Sequence, residues 1–241
     1  MRIIKYKKTG KNKYNILFDN NKSITLYEDI ILKYELLLKK EIKDLDAILL
    51  DNKNYEAYDK ALSYIKIKMR CESEIRTYLL KNNYNEKLID EVILKLKNNN
   101  LLNEELYIKA YTYDKFNINN YGPKKIINEL IKLGLDENNI YKYSVIDEEL
   151  LYDKLDKLIE KKIKQFKNYT GDVLKYKIES YFVNLGYEKE MISEILSNKD
   201  TSSNDYEKEY QKLYAKYSKK YSGFELDMRI KQKLMAKGYR K

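Results

Sequence analysis

Histidine and tryptophan are absent from this 241-residue chain, and proline and cysteine occur once each. Each shortage excludes something. Without histidine there is no side chain that ordinarily exchanges protons near neutral pH, and no imidazole for a zinc site. The single Cys71 allows neither an internal disulfide nor a Cys-x-x-Cys metal site. With no histidine to activate it, that thiol also lacks the logic of a nucleophile. One proline and seven glycines are too few for a turn-rich β architecture. No glycine-rich loop ending in Gly-Lys-Ser or Gly-Lys-Thr offers a P-loop for ATP. Acidic residues such as Asp147, Glu148 and Glu149 gather at a helix start, where the dipole accounts for them. The expectation is a protein with no catalytic group, no cofactor and no metal. No apolar run approaches the ~18–20 residues that span a bilayer. The opening "MRIIKYKKTGKNKY" has no apolar stretch long enough for a signal peptide. The expected setting is cytoplasmic, with no membrane partner.

What is present favours helices. Charged residues make up 36% and hydrophobic ones 43%, with Lys, Glu, Leu and Ile prominent. The 26 tyrosines accompany an excess of Lys, Asn and Ile. An AT-rich genome accounts for that set better than function does, so the tyrosines are not read as a base-stacking platform. Charge is uneven. Residues 1–27 hold seven Lys/Arg against one acid, and residues 201–241 hold eleven against five. The total is +10, so the long middle is close to neutral. Basic ends suggest contact with a polyanion, or else a solvated lysine surface.

Along the chain, "RIIKYKK", "YNILF" and "SITLY" are β-prone runs separated by turn residues in "TGKNK" and "DNNK". They predict a small antiparallel sheet over residues 2–27. From Glu28 the pattern turns helical, with Ile30, Ile31, Tyr34, Leu37 and Leu38 on one face. A short helix over Lys43–Leu50 follows, and Asp51–Asn54 reads as a linker. The rest reads as repeats of three helices, over 55–102, 103–146 and 147–200, after an N-terminal region of residues 1–54. A two-helix partial unit over 201–241, entered by the polar linker Ser197–Asp205, is what a capped stack would have, and equally what a loosely ordered end would show.

The repeat can be aligned by number. Tyr84, Leu135, Tyr187 and Tyr239 stand 51, 52 and 52 residues apart, and each follows Asn83, Gly134, Gly186 or Gly238. Asn and Gly enter the left-handed conformation cheaply, as a helix C-terminus commonly requires. Five residues before each come Leu79, Leu130, Phe182 and Leu234; nine before come Ile75, Ile126, Ile178 and Ile230. One apolar face is redrawn at a fixed interval, the signature of helical units that stack on their neighbours. The fold expected is all-α: tandem three-helix repeats in an elongated stack, with a small N-terminal β element.

"MRCESEIR" (69–76), "LLNEELY" (101–107) and "GPKKIINELIKLG" (122–134) together resemble the signatures of the RecX family, regulators of the RecA recombinase. The resemblance covers residues 55–200 well and the two ends more loosely. It implies tandem three-helix repeats and no catalytic residue. It also implies a monomeric negative modulator that lodges in the groove of the RecA–single-stranded DNA filament. Filament extension, ATP turnover, strand exchange and co-protease action in the SOS response would all be hindered. Two positions depart from the family pattern. Cys71 replaces a Ser or Thr that would cap the second helix in a box with Glu74, and Ile108 replaces a small residue.

Candidate contacts with the filament or with single- or double-stranded DNA follow from charge and resemblance. They are Lys5, Lys7, Lys8, Lys11 and Lys13 at the N-terminus, and Arg70 and Arg76 at family-basic positions. Lys161, Lys164 and Lys167 stand on adjacent turns of the third repeat's first helix. Arg229, Lys233, Lys237 and Arg240 share one face of the last helix and its end. For Arg70 and Arg76, pairing with Glu72 or Glu104 is an equal alternative; for the lysine faces, plain solvation is. A free-standing DNA-binding repeat protein and a purely structural scaffold are the other readings of the whole.

Overall fold

A computed structural model of the protein describes residues 1–202 and 205–239. Arg240 therefore lies outside the described residues. Three strands open the chain: β1 (Ile3–Gly10), β2 (Lys13–Phe18) and β3 (Ser23–Tyr27), an antiparallel meander in the order β1-β2-β3. Thirteen helices follow among the described residues: α1 (Glu28–Lys33), α2 (Leu36–Lys39), α3 (Leu45–Ile67), α4 (Glu72–Lys81), α5 (Glu86–Asn98), α6 (Glu104–Asn117), α7 (Pro123–Lys132), α8 (Glu137–Tyr143), α9 (Glu148–Gln165), α10 (Gly171–Asn184), α11 (Lys189–Ser197), α12 (Tyr206–Tyr217) and α13 (Gly223–Ala236). The chain divides into two compact units, Met1–Tyr107 and Ile108–Lys241.

The first unit has two cores. In the sheet, Ile3 pairs with Phe18, Tyr6 with Ile16 and Ile16 with Ile24, which puts these side chains on one face. Ile16, Phe18 and Leu26 are fully buried there with Ile30, Ile31 and Leu36. A register shift between Ile3 and Lys5 restores the alternation that the sequence "IIKY" would otherwise break. The predicted continuous face through Leu37 and Leu38 does not form. Glu35 and Lys40 take left-handed φ values of 51° and 48°, so α2 is a separate turn. Leu36 points inward while Leu38 is 82% exposed.

The predicted linker Asp51–Asn54 is corrected as well. It lies inside α3, which runs unbroken for 23 residues. Tertiary hydrogen bonds outweigh the turn propensity of "DNKN". Asp51 accepts from Lys33 and Tyr34, while Asn52 accepts from the Tyr27 N–H at 2.9 Å and donates to the Thr25 carbonyl at 3.2 Å. The back half of α3 packs with α4 and α5 around Ala57, Ala61, Ile75, Leu79, Ile89 and Leu96.

In the second unit, α9, α10 and α11 pack together, α7 pairs with α8, and α12 with α13. Pro123 occupies the first turn of α7, where its missing N–H is no loss. The four aligned turns all adopt the left-handed conformation: φ is 63° at Asn83, 75° at Gly134, 90° at Gly186 and 92° at Gly238. At three of them the next residue, Tyr84, Tyr187 or Tyr239, is buried, and its N–H returns to the carbonyl five residues back.

The closing turns also join one helical hairpin to another. The Gly122 N–H donates to the Leu185 carbonyl at 2.7 Å and the Lys124 N–H to the Gly186 carbonyl at 3.1 Å. The start of α7 is thus completed by the turn between α10 and α11. A Cβ on Gly122 would stand 2.4 Å from the Gly186 carbonyl, and one on Gly186 2.4 Å from the Lys125 nitrogen. The same joint recurs where the Thr170 N–H, at the start of α10, donates to the Lys237 carbonyl at 2.9 Å.

Candidate nucleic-acid interface

The N-terminal hairpin sorts its lysines by strand register. Lys5 pairs with Leu17 and Lys7 with Asn15, so both stand on the face opposite the core. Tyr6 between them points inward and its hydroxyl donates to the Leu36 carbonyl at 2.7 Å. Lys8 lies on the core side at the strand's end, over the Tyr14 ring, and Lys11 sits in the turn. Lys13 rests 4.5 Å from the centre of the Tyr27 ring; its hydrogen bond to Tyr27 holds its pKa above the ordinary value despite partial burial. Lys5, Lys7, Lys8 and Lys11 are exposed, and among the described residues none of them forms an ion pair.

Arg70 and Arg76 each sit in a separate group of internal partners. The Arg70 guanidinium lies 3.8 Å from the centre of the Tyr64 ring, which in turn stacks on Tyr78. Its Nη1 donates to Glu74 Oε1 at 2.9 Å, and its side chain is only 12% exposed. The other Glu74 oxygen accepts from the Cys71 N–H at 3.1 Å and from the Tyr107 hydroxyl at 3.2 Å. Burial alone would raise the Glu74 carboxyl; the Cys71 N–H and Arg70 outweigh it and hold its pKa below the ordinary value. Arg76 spans Glu72 at 2.9 Å, Asp90 at 2.7 Å and Glu86 at 3.4 Å. Its hydrogen bonds to Asp90 and Glu72 hold its pKa above the ordinary value despite partial burial. Both arginines are therefore balanced internally, and Glu72 is the partner of Arg76 that the sequence offered.

On α9 the charges separate by face. Asp156 and Glu160 converge on Lys199, at 2.7 and 2.8 Å. One helical stripe away, Leu158, Lys161, Lys162 and Gln165 line a cavity of about 160 Å³. Asn119 and Asn120 from the loop before α7, Tyr181 and Phe182 from α10, and Leu185 just after it complete the cavity, and no carboxylate lines it. The Lys162 ammonium lies 3.7 Å from the centre of the Tyr181 ring. Lys161 and Lys164 are exposed as expected. Lys167 is corrected: α9 ends at Gln165, so Lys167 falls in the following turn. Lys162, Gln165, Asn119, Asn120 and Tyr181 escaped the sequence reading. The i, i+3, i+4, i+7 spacing of 158, 161, 162 and 165 was visible; the loop and α10 that close the cavity were not.

The basic face predicted on the last helix is only partly formed. Arg229 is engaged by Glu225 at 3.1 Å and lies over the Tyr221 ring. Lys237 follows the end of α13, where the chain turns at Gly238, and its ammonium pairs with the buried Glu209. Lys233 remains exposed. The error came from treating a helical spacing of four as continuous through the helix end. The candidates thus fall into separate groups, the hairpin lysines and arginines in the first unit and the α9 and α13 cations in the second. Among the described residues no group of three or more acidic, Cys or His side chains could hold a metal ion, and no helix is long and apolar enough to cross a membrane.

Comparison with known proteins bears on these surfaces. The family model described as RecX, first three-helix domain, matches residues 57–96, the span of α4, most of α5 and the back of α3. A regulatory protein RecX of Finegoldia magna is 33% identical over 190 residues, covering 77% of this chain and 93% of the relative. One from a strain of Bacillus cereus is 30% identical over 248 residues, covering 98% of this chain and 92% of the relative. Among solved structures, a crystal structure of a regulatory protein RecX aligns with a TM-score of 0.66 at 22% identity, over 82% of this chain and 99% of the other. The RecX structure from Lactobacillus salivarius aligns at 0.55 and 26% identity, over 60% and 94%. Fold, repeat and near full-length identity agree, and the chain belongs to the RecX family of regulatory proteins.

Proposed function

We propose that this chain is a cytoplasmic, monomeric, non-enzymatic modulator that binds the RecA–single-stranded DNA filament and restrains its extension, ATP turnover, strand exchange and co-protease action in the SOS response. Family membership supports the partner. The observation that supports the nucleic-acid part is the set of exposed lysines that no acid balances among the described residues: Lys5, Lys7, Lys8 and Lys11 on the hairpin, Lys161 and Lys164 on α9. Lys13, Lys167, Arg229 and Lys233 extend these surfaces; Lys237 and Arg240 belong to the same reading. Arg70 and Arg76 serve it by fixing the helices they bridge. The repeat units over 55–102, 103–146 and 147–200, with the partial unit over 201–241, would supply a surface for successive protomers of a filament. The test compares binding to the assembled filament with binding to bare single-stranded DNA at about 0.15 M salt. Tighter filament binding is expected. Equal affinities would sink the recombinase assignment and leave a free-standing DNA-binding protein.

A further inference from the structure

The α9–α10 cavity combines three chemistries that one ligand class satisfies together. Lys161 and Lys162 supply positive charge on one helical stripe, while the acids of α9 are drawn to Lys199 on another. Asn119, Asn120 and Gln165 line it with side-chain amides, groups that both donate and accept; the Gln165 oxygen accepts from Lys162 at 3.4 Å, which leaves its NH2 to donate. Tyr181, 40% exposed, supplies a ring at the rim, held by the Lys162 ammonium over its face and by an edge contact with Phe182 at 5.1 Å. Asn120 keeps its place in a left-handed conformation, φ 56°. A simple anion would use the lysines and leave the amides and ring idle. An acidic peptide would use the lysines and amides without needing an aromatic rim. A nucleotide uses all three: phosphate on the lysines, base edge on the amides, base face on the tyrosine.

We propose that this cavity is a binding site for one nucleotide unit of a single strand, phosphate toward Lys161 and Lys162 and base against Tyr181. The proposal deepens the nucleic-acid part of the function above and rests on it. It reverses, at this one place, the sequence-based view that the tyrosines carry no stacking role. The cavity of about 160 Å³ is smaller than a whole nucleotide, so the base alone enters it while sugar and phosphate stay at the rim beside the lysines; a paired base is excluded, so unpaired strands are selected over duplex.

The experiment uses the full chain and fluorescence anisotropy with three labelled probes of equal length: oligothymidylate, an abasic strand and a duplex. Lys161→Gln with Lys162→Gln should weaken oligothymidylate binding at least tenfold and reduce the salt slope by about one per lysine. Tyr181→Leu should weaken oligothymidylate several-fold and leave the abasic strand and the duplex unchanged. Melting curves establish that both variants stay folded, since the three residues are exposed or half-exposed. If the parent binds oligothymidylate and the lysine pair can be changed without effect, the cavity is not the site, although the nucleic-acid reading stands. A Tyr181→Leu loss that is equal on the abasic strand overturns the base contact. If the parent binds no strand at all, the nucleic-acid reading itself fails. Titration with thymidine monophosphate, followed by the side-chain amide signals of Asn119, Asn120 and Gln165, then decides the cavity's chemistry. Shifts would assign it to a free nucleotide, and their absence would overturn it.

Discussion

The second helix of a repeat begins in two different ways in this molecule. In the second unit, α7 and α10 are completed by backbone: carbonyls of Leu185, Gly186 and Lys237 receive their first N–H groups. In the first unit, α4 is completed by side chains: Glu74 turns back to the Cys71 N–H and is held by Arg70 and Tyr107. A helix start leaves N–H groups that something must satisfy. At these joints the two backbone segments approach so closely that a Cβ added to Gly122, Gly186 or Gly238 would collide with the facing backbone. Side-chain partners tolerate any residue at the start but bring in groups that titrate. The two solutions should therefore fail under different stresses.

The largest effect is expected at the glycine joint. Gly186→Ala meets both a forbidden contact with Lys125 and a φ of 90°. Overpacking and the left-handed penalty together should cost about 2–5 kcal/mol. Gly122→Ala isolates the contact, because its φ is an ordinary −80° while its Cβ would strike the Gly186 carbonyl. It should cost about 1–3 kcal/mol. Urea melts read both, and a Gly122→Ala protein as stable as the parent would show that the joint yields.

Next comes the carboxylate joint. Glu74→Gln keeps the shape and removes the charge, and should cost about 1.5–3 kcal/mol at pH 7. The Glu74 pKa lies below the ordinary 4.5, so its contribution is fully present above that value and is lost as pH falls through the folded value. Parent and variant should thus converge in stability as pH falls below 4.5 and through the lowered folded value. The Gly122→Ala penalty should stay constant across the same range. A Glu74→Gln deficit that does not shrink in acid would mean that the carboxylate acts by shape alone.

Gly134 sharpens the distinction further. It has the same left-handed turn as Gly186, yet a Cβ there would meet nothing within 4 Å. From the sequence the two glycines are equivalent, and equal penalties follow. The structure separates them: Gly134→Ala should cost only the conformational term, about 1–2 kcal/mol, measurable as a modest drop in melting temperature. A loss as large as that of Gly186→Ala would contradict the open surroundings.

These glycines show where sequence reading succeeds and where it stops. Turn positions are legible because φ > 0 selects Gly or Asn locally, and the bounds of α4, α7 and α8 follow from local caps and apolar spacing. What is local to a helix is written within it. The continuity of α3 through Asp51–Asn54 depends on the strand edge at Thr25 and Tyr27, far away in sequence. Lys237 turned inward because Glu209 waits on another helix. The α9 cavity needed a loop and a second helix to become a site. Charge in the sequence locates cations; only the fold says which acids consume them.

The smallest effect is expected at Cys71 itself. It has the extended φ/ψ of a helix start, −86° and 169°, and both halves of a capping box have formed, the Glu74 carboxylate on the Cys71 N–H and the sulfur facing the Glu74 N–H. The second half asks the residue's side chain to accept from the backbone, and sulfur accepts weakly. Cys71→Ser offers a hydroxyl at the same position, about 0.5–1 kcal/mol of cap stabilisation. Against it stand the loss of a well-buried sulfur, 2% exposed, and the need to seat the hydroxyl beside Ser73. We expect a net gain of a few tenths of a kcal/mol, because a cap is worth slightly more than the small packing change. Cys71→Ala supplies the control: it removes packing without adding a cap and should melt at or just below the parent. Serine melting no higher than alanine would show that the carboxylate and Arg70 already complete this entrance, leaving nothing for the capping side chain to add.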